Sequence, residues 1–140
     1  LYSGNLNLNN NLLNQIPTSK FVLLVDGNIT LNEQRFNLDN NCTARPSKNI
    51  ILLSKNGTIS FANQTQCAGG VFIASTINTG LNNNQGLKIK GNLITNNLNN
   101  QRKWSSNNNR PTVFIVFEPT VYIELLPYIS VSKYDWRQLQ

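Results

Sequence analysis

Histidine is absent from this chain, and so is methionine. Without histidine, the commonest general base and the commonest metal ligand are both missing. Acidic side chains are scarce, the whole set being Asp26, Glu33, Asp39, Glu118, Glu124 and Asp135. Asp26 sits beside Gly27 in a turn, where Asp is expected for backbone reasons alone. No two of the six fall at equivalent positions of neighbouring repeats, as a carboxylate pair for glycoside chemistry requires. Also missing are C-x-x-C spacing for structural zinc, an Asp-rich loop for calcium, and any P-loop or dinucleotide fingerprint. Serines and threonines are plentiful but have no base to activate them. The sequence therefore points to no catalytic residue, no metal site and no cofactor. Nor is there an apolar run of about 18 residues, the length that crosses a bilayer as a helix. With no initiator methionine, the chain reads as a processed form or an excised domain, any signal or anchor lying upstream of Leu1.

What is present is asparagine, 26 of 140 residues. Genomic codon bias is one source of such an excess. The physical use is that Asn tolerates left-handed turns and can form hydrogen-bonded ladders between stacked segments. The length suits one domain with a core. Net charge is +6 with a pI near 9.6, although only 13% of residues are charged.

The apolar stretches are short, rich in β-branched and aromatic residues, and bounded by Gly, Asn and Pro. They also repeat. Phe21-Val22-Leu23-Leu24-Val25-Asp26-Gly27-Asn28-Ile29-Thr30-Leu31 returns as Ile50-Ile51-Leu52-Leu53-Ser54-Lys55-Asn56-Gly57-Thr58-Ile59-Ser60-Phe61. Weaker echoes open at Gly4, Gly70 and Leu87. Val22 to Val25 is apolar throughout, as in a strand covered on both faces or one turning a corner. Leu6, Ile29, Ile59, Ile77 and Leu93 read as equivalent positions, roughly 16 to 30 residues apart as in irregular solenoids. The expected fold is all-β, a right-handed parallel β-helix of about five rungs with a C-terminal packing arm. Helix formers are scarce and no amphipathic helix is expected. Within a single domain over 1–140, rungs occupy 1–95, an Asn-rich basic connection 96–112 and the arm 113–140.

Cys42 and Cys67 precede successive rungs, so both are expected at similar corners of adjacent rungs. Strand spacing of about 4.8 Å is within disulfide reach. A bridge would indicate an oxidising, extracellular compartment; two buried free thiols would indicate the opposite. Residues 31–49, holding Phe36, Leu38 and Cys42, read as a loop bulging from the coil.

The order V-D-G-N-I-T, N-G-x-I, G-V-F-I-A-S-T-I-N-T-G, L-K-I-K-G-N-L-I and F-E-P-T-V-Y resembles one family. It is that of C-terminal β-solenoid domains of surface proteins from small episymbiotic bacterial lineages, whose upstream segment resembles PilX-type minor pilins. In that family the counterpart of Phe117-Glu118-Pro119 is a Tyr-Asp-Pro phrase. The resemblance covers the chain from about Phe21 onward and implies a solenoid fold and a cell-surface, pilus-associated setting. It brings no activity with it.

Lys88 and Lys90 alternate with Leu87 and Ile89, so both amines project from one strand face. Arg102, Lys103, Trp104 and Arg110 follow. With Tyr122 and Tyr128 these form the candidate binding surface for an anionic polysaccharide or a nucleic acid. Lysines on a sheet face also keep it soluble and block edge pairing. Tyr122, Tyr128, Tyr134 and Trp136 serve equally to glue an arm to a solenoid flank. The expected role is a non-catalytic structural or adhesive surface domain, with self-association or a glycan as its partner. A binding module, and then a carbohydrate-active β-helix enzyme, are the alternatives.

Overall fold

A computed structural model describes residues 1–82, 84–105 and 110–129, with 128 and 129 described by backbone alone. Its elements run β1 (Tyr2–Ser3), β2 (Leu6–Leu8), α1 (Asn10–Gln15), β3 (Lys20–Asp26), β4 (Ile29–Leu31), β5 (Arg35–Phe36) and β6 (Asn49–Phe61). Then follow β7 (Cys67–Asn78), β8 (Leu87–Asn99), β9 (Val113–Val116) and α2 (Pro119–Ile129). Strand predominates, and every strand pairing is parallel.

The pairings sort into three ladders that the chain visits in turn. The first joins β5, the start of β7, the start of β8 and β9, through Phe36, Ala68, Ile89 and Ile115. The second joins β3, β6, β7 and β8 through Leu23, Leu52, Phe72 and Leu93, with β1 at the edge of β3. The third joins β2, β4, β6, β7 and β8 through Leu6, Ile29, Ile59, Ile77 and Leu98. The repeated phrase is thus aligned as its sequence reads, Phe21 on Ile50 and Ile29 on Ile59. One equivalence is corrected. Leu93 belongs to the second ladder, and the partner of Ile77 is Leu98.

Glycine and asparagine carry the chain between ladders. Gly27 has φ +149°, and a Cβ there would collide with the Gly4 carbonyl; one on Gly57 would strike the Gly27 carbonyl. These corners stack backbone on backbone, so no side chain fits. Asparagine side chains then reach from one pass of the chain to the next. The Asn5 Oδ1 accepts from the Asn28 amide (3.1 Å), and the Asn28 Oδ1 from the Thr58 amide (2.9 Å). Asn10 Oδ1 accepts from the Asn37 amide (2.9 Å) and Asn63 Oδ1 from the Leu81 amide (2.8 Å). The excess of this residue has a structural use, satisfying amides at corners where the ladders break.

One apolar cluster lies between the ladders and includes Ile29, Leu31, Phe36, Leu52, Ile59, Phe61, Phe72 and Ile77. A second lies on the other face of the second ladder, where Val121 and Leu125 of α2 bury Ile51 and Val71. The second ladder is therefore packed on both faces at Val22, Ile51 and Val71, within the run Val22 to Val25 that is apolar at every position.

The helices are not expected from the sequence. α1 is capped by Asn9, whose side chain accepts from the Leu12 amide at 2.9 Å, while Glu33 accepts from the Asn10 amide at 3.1 Å. α2 opens on Pro119, which has no amide to leave unpaired at a first helical position. It is docked by Val121 and Leu125, four residues apart and fully buried. Glu124 holds it in place, pairing with Lys20 at 3.0 Å and accepting from Asn49 at 2.6 Å. Of the C-terminal arm, β9 joins the sheet beside β8, and α2 is a helix packed across the second ladder. β8 continues to Asn99, so the basic connection starts later than residue 96. Beyond α2, the expected alternation over residues 130–132 and the aromatics Tyr134 and Trp136 lie outside the described residues.

Cys42 and Cys67 are bonded, with their Cα atoms 6.1 Å apart. The geometry is not that of matching corners, since the register partner of Cys67 is Arg35. Cys42 lies in the loop after β5, which folds back over the sheet. Asn37 makes that return. In the left-handed region at φ 57°, it donates to the carbonyls of Lys48 (2.7 Å) and Gly69 (2.9 Å) and accepts from the Lys48 amide (2.9 Å).

Candidate binding cleft

The candidate surface is divided by the fold. Lys88 and Lys90 share a strand face, but only Lys88 is open. The returning loop covers Lys90, 9% exposed, whose ammonium donates to the carbonyls of Thr43 and Ala44. Arg102 is likewise removed from the surface, at 3% exposure. It donates to the carbonyls of Thr79 (2.7 Å), Gln85 (3.2 Å) and Ala62 (3.4 Å). Desolvation lowers its pKa below the usual value, yet a guanidinium stays charged. Both cations fasten loops through backbone carbonyls. They are corrected from binding residues to structural ones.

Tyr122 stands apart on α2. Its hydroxyl accepts from the Asn92 side chain at 2.8 Å and its ring lies 5.6 Å from that of Phe117. It fixes α2 to β8. The side chain of Tyr128 lies outside the described residues.

Lys88, Trp104 and Arg110 are brought together. Lys88 pairs in register with Phe114 of β9, both facing away from the core that holds Leu87 and Ile89. The 100–112 connection brings Trp104 alongside, its indole nitrogen donating to the Pro111 carbonyl at 3.2 Å. The two rings close over Gly86, where a Cβ would lie 3.1 Å from the Phe114 ring and 3.4 Å from that of Trp104. The result is a cleft of about 500 Å³ lined by Gly86, Lys88, Trp104, Arg110, Phe114 and Val116. A second cleft of about 540 Å³ adjoins it, sharing Trp104 and Arg110 and adding Asn100, Lys103 and Thr112.

Gly86, Phe114 and Val116 are the members that sequence reasoning missed. A signal for Phe114 existed, because alternation along Val113-Phe114-Ile115 turns it away from its apolar neighbours. For Gly86 there was none, since its role is room for rings that arrive from elsewhere.

The described carboxylates are dispersed. Glu33 caps α1, Glu124 holds α2, and Asp26 accepts from Asn56 at 2.7 Å. Asp39 organises the disulfide loop, accepting from the amides of Thr43 (2.8 Å) and Ala44 (3.0 Å). Desolvation raises its pKa, but these bonds outweigh that and hold the carboxyl below its usual value. Among the described residues no group of three or more His, Cys, Asp or Glu could hold a metal. Among the described residues no helix is long and apolar enough to cross a membrane. Comparisons with family models, with characterised proteins and with solved structures found no match to this chain.

Proposed function

We propose that the chain winds as a right-handed parallel β-solenoid and serves as an exported, non-catalytic structural and adhesive domain of a cell-surface or pilus-associated protein. The successive ladders, visited in the same order on each pass, support the winding, and parallel crossovers favour the right hand. The resemblance to domains of PilX-like surface proteins agrees with this setting.

The Cys42–Cys67 bond is the observation that carries export. It fastens the loop between β5 and β6 to the sheet, a device that persists in oxidising compartments and is reduced in the cytosol. Mass spectrometry of alkylated protein from its own cells, without reductant, tests the reading together with antibody labelling of intact cells. An unalkylated disulfide form that is labelled from outside is expected. Two alkylated cysteines in a protein shielded from antibody would overturn it.

A further inference from the structure

The described cations that remain exposed on this side of the sheet are few, and they gather where the rings are. Lys88 and Arg110 line a cleft whose other walls are Trp104, Phe114, Val116 and Gly86. Neither cation meets a carboxylate among the described residues, and Asp26, Glu33, Asp39 and Glu124 are engaged elsewhere. A cation set in apolar walls is best satisfied by an anion that brings its own hydrogen-bond acceptors. The indole N–H is already spent on Pro111. The cleft thus offers two aromatic side chains and two positive charges, with few groups able to read the edge of a base.

We propose that this cleft binds one acidic sugar residue of a polysaccharide. The sugar ring lies over Gly86 against Trp104 and Phe114, and its carboxylate is held by Lys88 and Arg110. The size fits, small-molecule clefts spanning roughly 300–1,000 Å³. The adjoining cleft shares Trp104 and Arg110, so a polymer can continue past the first residue toward Lys103 and Thr112. A nucleic acid is the poorer fit. Single strands need a basic track along their backbone, and two cations that could extend one, Lys90 and Arg102, are turned into carbonyls. Gly86 is explained by the same account. A Cβ there would press on the Phe114 ring at 3.1 Å and touch that of Trp104 at 3.4 Å.

The proposal rests on the adhesive reading for where such a polymer is met, but its chemistry is tested separately. Calorimetry on the purified chain would use hexasaccharides of galacturonate, guluronate, hyaluronan and sialate, their carboxyl-reduced counterparts, and the oligonucleotide dT10. Binding of at least one acidic hexasaccharide is expected, with carboxyl reduction weakening it about tenfold or more. Trp104→Ala should weaken binding about tenfold or more. Because that ring also supports the connection, Lys88→Met serves as a second variant. It should weaken binding several-fold, about three to ten times, and flatten its salt dependence. Failure of every acidic hexasaccharide to bind would overturn the proposal. So would equal binding of the carboxyl-reduced form, tighter binding of dT10, or unchanged affinity in Lys88→Met. None of these outcomes bears on export, which the thiol measurement decides.

Discussion

At the N-terminal end of the first ladder, helix α1 covers the β5 edge; at the C-terminal end, the strands finish without such a cover among the described residues. The same register positions show the consequence. In the first ladder Phe36, Ala68 and Ile89 are fully buried, but Ile115 beyond them is 49% exposed. In the third, Ile29, Ile59 and Ile77 are fully buried, Leu6 at the N-terminal end is half-buried, and Leu98 is 42% exposed. At the opposite end Leu13 of α1 enters the core cluster at 2% exposure. Asn10 finishes the edge of β5, donating to the Arg35 carbonyl at 2.7 Å and accepting from the Asn37 amide. Burial here is decided by whether a further layer follows, since residues of similar character stand at both ends. The finished end also uses an asparagine side chain in place of the peptide group of a missing strand.

Substitutions at the two ends sharpen that contrast. The largest effect is expected for Leu13→Ala, about 2–5 kcal/mol of lost stability, as for other buried leucines. Ile115→Ala should cost about 1 kcal/mol or less despite facing the same core. Thermal unfolding followed by circular dichroism measures both, and equal costs would break the comparison. Next comes the disulfide. Its partners are 25 residues apart, and replacing both cysteines by serine should cost about 3 kcal/mol by urea denaturation. Asn10→Ala follows at about 1–2 kcal/mol, because two backbone groups of the β5 edge lose their partner.

The smallest effect is that of acid on α2. The hydrogen bond from Lys20, then that from Asn49, holds the Glu124 carboxyl below its usual 4.5. A depressed carboxyl stabilises fully above its unfolded value and loses that contribution as pH falls through the folded one. Docking of α2 should therefore weaken below about pH 4.5. Tyrosine fluorescence measures this, and Glu124→Gln should remove the dependence.

Much of the sheet was legible because apolar alternation and glycine corners repeat. Leu6, Ile29, Ile59 and Ile77 are register partners as the sequence suggests. Leu93 was misplaced for a physical reason. Gly27 and Gly57 turn the chain from the second ladder to the third, whereas Gly70 and Gly91 turn it from the first to the second. Both corners need a glycine, so Gly91-Asn92-Leu93 looks like Gly27-Asn28-Ile29. α2 was hidden because its helical form depends on Val121 and Leu125 finding the outer face of the second ladder, a tertiary matter. In the cleft, Lys88, Trp104 and Arg110 were visible as residue types. That Lys90 and Arg102 are covered was not, since the covering segments are brought from far along the chain by a disulfide and by turns.

Amide hydrogen exchange across the ladders tests the central claim most directly. The account predicts the slowest exchange in the paired segments of β6 and β7. Protection should persist in β2, on the α1 side, and be lowest among the strands of the third and first ladders at the C-terminal end, in β9. Protection in β9 equal to that in β6, or β2 exchanging first, would contradict it.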